Sequence, residues 1–182
     1  MSIEELIVAC KKNDREAQKM LYRSYKDTLY LQSLKYSKCP EEAEDILHDA
    51  FITIFSKIKS YSKKGSFEGW MKRIVINKSI DNYKKRKNLT NDLKEHFLKN
   101  VEADVEVSEN INISLNKVLE YIQELPDQYR LVFNLYQLDG YSHKEIAKML
   151  SISESTSKSN FHRAKLSLKE KLQKDKYLNL EK

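Results

Sequence analysis

The sequence predicts an all-α fold: two small helical domains, an N-terminal helix bundle and a C-terminal helix-turn-helix bundle, joined by a linker. Three observations carry that prediction. The 182 residues include only three glycines and two prolines, so little interrupts a composition rich in Lys, Leu, Ile, Glu and Ser. Apolar residues recur at helical spacing in two blocks, one before residue 88 and one after residue 113. Between the blocks the apolar residues are sparse and lose that period.

In the first block, Ile3 to Cys10 opens the bundle and Ala17 to Tyr36 follows, with Met20, Leu21, Tyr25, Leu29 and Leu34 as its apolar positions. Pro40 then stands at a helix start with acids in the first turn, where a missing N–H is harmless and negative charge is favoured. Ala43, Ile46, Leu47, Ala50, Phe51, Ile54, Phe55 and Ile58 make a continuous amphipathic stripe. YSKKGSFEG reads as a loop in which Ser66 caps a helix from about Phe67 to Lys87. These pieces close a bundle over 1–88.

Residues 88–112 hold Asp92, Glu95, Glu102, Asp104, Glu106 and Glu109 against Lys94 and Lys99, a net of −4. The segment 89–112 therefore reads as an acidic linker, with 91–99 the one place for a short helix. Helical spacing returns over 113–175. Leu115, Val118, Leu119 and Ile122 end at Leu125-Pro126, and Tyr129, Val132, Phe133 and Tyr136 end at Asp139-Gly140. A short helix 143–150, the turn Ser151-Ile152-Ser153 and a longer helix to about Leu172 complete a helix-turn-helix. Ser142 and Ser153 are the expected caps; Ile146, Ala147, Leu150, Ile152, Phe161, Ala164 and Leu168 are the expected shared core. Residues 176–182 read as a tail.

The net charge of +6 and a pI near 9.1 imply a polyanionic partner, nucleic acid first and an anionic membrane second. No stretch reaches the length of a membrane span, and the N-terminus lacks a basic segment ahead of an apolar one. Cys10 and Cys39 form no paired motif, as in reduced cytosolic proteins. The expectation is a cytoplasmic protein. There is no phosphate-binding glycine loop, nucleophile elbow or paired-cysteine motif to support an enzyme, so no catalytic residue and no cofactor is assigned.

Three surfaces carry candidate chemistry. The N-terminal half of the second helix of a helix-turn-helix faces the major groove, and here it offers Ser155, Thr156, Lys158, Ser159, His162 and Arg163, hydroxyls and cations suited to phosphates and base edges. Ser157 is expected to face inward. Upstream, Lys72, Arg73, Lys78, Lys84, Lys85, Arg86 and Lys87 stand against Asp81 alone, with Asn77 and Tyr83 among them and Tyr61, Phe67 and Trp70 just before. Cations interleaved with aromatics suit a single strand, although Trp70 at helical spacing from Ile74 also fits a core position.

The third surface runs against the basic balance. EEAEDILHDAF, residues 41–51, places five carboxylates in nine positions. With the apolar stripe inward, Glu41, Glu44, Asp45, His48 and Asp49 remain outside. Asp45-x-x-His48 has the form of half a carboxylate–histidine metal site, but His96, His143 and His162 supply no matching half. No metal is assigned, and a solvated face and a docking surface remain open.

Taken together, YRSYKDTLY, EEAEDILHDAFITIF and GSFEGWMKRIVINKSIDNYKKRK resemble region 2 of bacterial sigma factors of the extracytoplasmic-function (ECF) group. LPDQYRLVFNLYQLDGYSHKEIAKMLSISESTSKSNFHRAKLSLKEKL is similar to region 4 of that group, and the resemblance runs from about Cys10 to Leu172. It implies a non-catalytic specificity subunit of RNA polymerase. The stretch matching DILHD would dock on the β′ clamp coiled coil through Asp45, His48 and Asp49, with Glu41 and Glu44 alongside. His48 stands where the family more often has glutamine, and Asp49 where it often has glutamate.

The same resemblance assigns Lys72, Arg73, Asn77, Lys78, Asp81, Lys84, Lys85 and Arg86 to the −10 element and the second helix of the helix-turn-helix to the −35 major groove. It places Asn160 where the family commonly has a basic residue, a replacement that would remove one phosphate contact. Core polymerase (β′ and β subunits), promoter DNA and an anti-sigma factor, often membrane-bound, are the implied partners; a small-molecule substrate is not. Twenty-five residues from Asn88 to Asn112 extend at most about 80 Å, enough for two DNA turns of about 70 Å in all. A stand-alone helix-turn-helix regulator and a carboxylate-bridged metal enzyme are the competing readings.

Overall fold

The computed structural model describes residues 2–89 and 114–180, and every regular element among them is helical. The chain divides into two compact units, residues 1–82 and 83–182. The expected short helix at 91–99 and all of the acidic linker past Leu89 lie outside the described residues.

Side-chain caps set where the helices of the first unit begin. Ser2 and Glu5 form a reciprocal capping box on α1 (Ile3–Lys11). Asn13 then turns left-handed at φ 62°, and the Asp14 carboxylate accepts the Ala17 N–H to start α2 (Arg15–Tyr36). Pro40 is the first residue of α3 (Pro40–Lys57), as its fixed φ favours. A 3₁₀ turn, Ile58–Ser60, leads to a loop in which Gly65 takes φ 101° and its carbonyl accepts the Tyr61 hydroxyl. Ser66 accepts the Gly69 N–H and opens α4 (Phe67–Leu89).

The core of this unit joins Leu6, Leu21, Leu29, Ile46, Phe51, Ile54, Met71 and Val75. Each such large side chain contributes about 1.5–3 kcal/mol by leaving water, so the amphipathic stripe of α3 orients that helix firmly. Its five inward apolar positions from Ile46 to Ile54 are all buried, which fixes the outward direction of the acids.

In the second unit Ser114 caps α5 (Leu115–Gln123), and α6 (Asp127–Phe133) begins after Pro126. The helix then widens into a π turn, Asn134–Leu138, where the Asp139 N–H reaches back to the Asn134 carbonyl. Periodicity gave no sign of this widening. Gly140, at φ 73°, ends the element. Ser142 and Glu145 form the capping box of α7 (His143–Leu150), Ser151 turns left-handed at φ 57°, and Ser153 caps α8 (Glu154–Leu180).

Ile146, Leu150, Ala164 and Leu168 are buried as expected, whereas Ala147, Ile152 and Phe161 are half-buried. α8 runs on to Leu180 instead of stopping near Leu172, so residues 176–180 of the expected tail are helical. Nothing between Glu154 and Leu180 is glycine or proline, and nothing else there breaks a helix.

Arg130 was not foreseen as an interior residue. It is 1% exposed, and Nη1 donates to the carbonyls of Gln123 and Leu125 while Nη2 pairs with Asp127 at 2.5 Å. One guanidinium thus satisfies carbonyls left open at the end of α5. Burial lowers its pKa and Asp127 opposes that shift.

Candidate functional site

On α3, Glu41, Glu44, Asp45, His48 and Asp49 are all exposed, as the inward stripe requires. The side chains of Glu44, Asp45, His48 and Asp49 have no hydrogen bond or ion pair among the described residues. Glu41 differs: its own backbone N–H and then the Cys39 thiol stabilise the carboxylate and lower its pKa. A cleft of about 440 Å³ lies between α2 and α3, lined by Tyr22, Lys26, Asp27 and Tyr30 from one helix and Glu44, Asp45, Leu47 and His48 from the other. The α2 side of that cleft was missed by sequence reasoning. Tyr22 was visible as an aromatic four residues before Lys26, but nothing local says which helix it faces.

In the first unit the exposed positions of α4 are Arg73, Asn77 and Asp81, one every four residues, and in the second unit Lys85 and Asn88 are exposed. Lys72 and Lys78 flank the first three, half-buried, and Lys72 pairs with Glu68 at 2.6 Å. In the second unit Lys84 is half-buried and Arg86 pairs with Asp127 at 3.1 Å, so its charge is not left over for a ligand alone.

The aromatics interleaved with these cations belong to the interior. Tyr61, Phe67 and Tyr83 are buried, and Trp70 stacks on Phe67 with centroids 5.5 Å apart and planes at 19°. They brace α4 from behind, as the spacing of Trp70 from Ile74 suggested.

At the start of α8 the hydroxyls bind one another. Ser153 Oγ lies 2.8 Å from Ser155 Oγ and 2.7 Å from Thr156 Oγ1, and it also accepts the Thr156 N–H. Lys158 is exposed and pairs with Glu154 at 2.9 Å; that bond, with the charge behind it, lowers the Glu154 pKa. Arg163 donates to the Tyr129 hydroxyl at 3.2 Å. Ser155 and Lys158 are exposed; Thr156, Ser159, His162 and Arg163 are partly covered.

Two polar positions early in α8, Ser157 and Asn160, are buried. Ser157 is buried and its hydroxyl meets His143 Nδ1 at 2.9 Å, as expected. Asn160 is 4% exposed: it lies three residues after Ser157 and four before Ala164, on the buried stripe, so this position offers no phosphate contact. The His162 Nε2 atom is also covered and has no hydrogen-bond partner among the described residues.

An outward acidic helix, a basic helix and a capped helix-turn-helix in one chain prompt comparison with known proteins. Residues 21–89 match the family described as Sigma-70 region 2, and residues 115–168 match Sigma-70, region 4. The ECF RNA polymerase sigma factor SigW of Bacillus subtilis is 31% identical over 94% of this chain and 97% of its own length. The chain belongs to the ECF group of sigma-70 family RNA polymerase sigma factors.

Another ECF sigma factor, SigM of Bacillus subtilis, is 30% identical over 82% of this chain and 91% of its own length. The sigma factor RpoE from Bartonella quintana, solved in complex with the anti-sigma factor NepR, shares the fold with a TM-score of 0.52 and 21% identity, covering 86% of this chain and 96% of that one. As an ECF sigma factor the protein is a non-catalytic specificity subunit that directs RNA polymerase to promoters. No described helix is long and apolar enough to cross a membrane.

Proposed function

We propose that the three surfaces divide the work of initiation. Asp45, His48 and Asp49, with Glu41 and Glu44 beside them, dock on basic groups of the β′ clamp coiled coil, and the β subunit completes the core contact. Lys72, Arg73, Asn77, Lys78, Asp81, Lys84, Lys85 and Arg86 engage the −10 element, the cations holding phosphates of a separated strand and Asn77 reading an unstacked base. Ser155, Thr156, Lys158, Ser159, His162 and Arg163 take the −35 major groove. The bundle of 1–88 and the helix-turn-helix domain of 113–175 thus hold two promoter elements.

The observation that carries this reading is the set of carboxylates on α3. Four outward polar side chains on this helix, Glu44, Asp45, His48 and Asp49, find no partner among the described residues of a protein with net charge +6. Evolving a folded helix with such a face makes sense if a cationic partner completes it. Free in the cytoplasm, the protein is held by an anti-sigma factor until released.

In vitro transcription from a genomic fragment library, with core polymerase alone and with this protein added, tests the reading. New discrete start sites sharing two upstream elements are the expected result. Neither new starts nor core binding would return the chain to the stand-alone regulator.

A further inference from the structure

Among the described residues, Glu42 is the acid of the 41–49 cluster whose side chain hydrogen-bonds to a second helix. Its Oε2 accepts the Lys38 backbone N–H at 2.7 Å, and its Oε1 accepts Asn82 Nδ2 at 3.0 Å. The carboxylate therefore spans the α2–α3 loop, the first turn of α3 and α4. Both bonds are charge-assisted and together they set the side chain in one orientation.

The two ends of this bridge sit beside the two surfaces assigned above. Glu42, Asp45 and Asp49 are spaced i, i+3, i+7, so they share one face of α3, and a group bound at Asp45 lies one turn from Glu42. Asn82 lies one turn beyond Lys78 on α4 and next to Asp81, while Ile80 and Tyr83 on either side of it are buried. The bridge thus adds a directional contact between α3 and α4. Apolar contacts alone orient a helix less sharply, because they have no direction.

We propose that Glu42 is a positioning residue, holding the −10-reading helix in register with the polymerase-docking helix through Asn82. The proposal rests on the assignment of α3 to core polymerase and α4 to the −10 element. Its consequence is a separation of effects: without the bridge the protein still docks, but the docked complex presents Asn77, Lys78 and Asp81 at the wrong angle to melted DNA.

The test uses the full-length protein with core polymerase, measuring core affinity, promoter opening by permanganate reactivity, and thermal stability. N82D sets two carboxylates against each other. It is expected to lower opening about tenfold while core affinity stays within about twofold. The exchange E42Q/N82D restores donor and acceptor at unchanged side-chain lengths, since an amide at 42 can donate to the carboxylate at 82 and still accept the Lys38 N–H. Opening is expected to recover at least fivefold from the N82D level, although the charge at 82 is the same in both proteins.

No recovery in the exchange would overturn the proposal, because the N82D defect would then belong to charge beside the DNA. A parallel loss of core affinity, opening and melting temperature in N82D would also overturn it, leaving Glu42 a stabilising residue only. D45K/D49K, run beside these variants, separates failure of the parent reading: core binding retained there overturns the docking assignment, whereas core binding lost there with normal opening in N82D overturns the bridge alone.

Discussion

The acid face of α3 and the polar face of α8 are both exposed helix surfaces, yet they are built in opposite ways. On α3 the side chains of Glu44, Asp45, His48 and Asp49 are left without partners among the described residues. On α8 nearly every group assigned to DNA is already engaged: Ser155 and Thr156 with Ser153, Lys158 with Glu154, Arg163 with Tyr129. Free carboxylates on a rigid helix meet a partner without first breaking an internal bond. Engaged hydroxyls and cations are held near one geometry, at the cost of exchanging those bonds on contact. The first arrangement suits strong electrostatic docking, the second a fitted groove.

The sharpest way to break this comparison is charge reversal on α3. Asp45→Lys with Asp49→Lys is expected to weaken core polymerase binding more than about 100-fold, since two attractions become repulsions in a desolvated interface. The helix-turn-helix should keep its DNA affinity. Co-purification with core enzyme and a DNA mobility assay check the two halves.

A smaller effect is expected on α8. Arg163→Ala should lower transcription from a −35-containing promoter about tenfold, the scale of one lost bidentate or phosphate contact. Tyr129→Phe, which removes only the hydroxyl holding that guanidinium, should cost about threefold. Equal activity of both variants and the wild type would show that Arg163 faces away from the groove.

Lys158→Ala is expected to weaken binding to all sequences alike and to reduce the slope of log affinity against log salt by about one. That outcome would separate a phosphate contact from base readout. An unchanged slope would mean that Lys158 serves Glu154 rather than DNA.

The mildest prediction concerns pH. His143 packs on Tyr136 with centroids 4.2 Å apart and planes at 11°, and it meets the Ser157 hydroxyl. Burial and then Lys158 lower its pKa, with Glu154 opposing them. The unfolded chain therefore binds this proton more readily than the folded one. The contribution to stability is complete above the ordinary histidine value near 6.5 and is lost as pH falls through the lower folded value. Denaturant unfolding between pH 7.5 and pH 5 should show this decline, and His143→Gln should flatten it.

Much of this molecule is local and therefore legible. The stripe from Ala43 to Ile58 announces α3 and which of its residues face out. Ser66, Ser142 and Ser153 cap the helices that follow them, and Ser157 turns inward. These features depend on residues within a turn or two of one another, where helical period and capping chemistry act directly.

What only the tertiary structure decided is which polar groups are already taken. Glu42 looks like its neighbours until Asn82, 40 positions away, donates to it. Arg163 looks free until Tyr129, 34 positions away, meets it. Arg130 closes carbonyls in the interior, which nothing in its local sequence announces, and Asn160 lies on the buried stripe. Periodicity states the direction of a side chain from its own helix. It carries no information on what another helix brings to that place, because a hydrogen bond depends on positions fixed to a few tenths of an ångström by the packing of the whole unit.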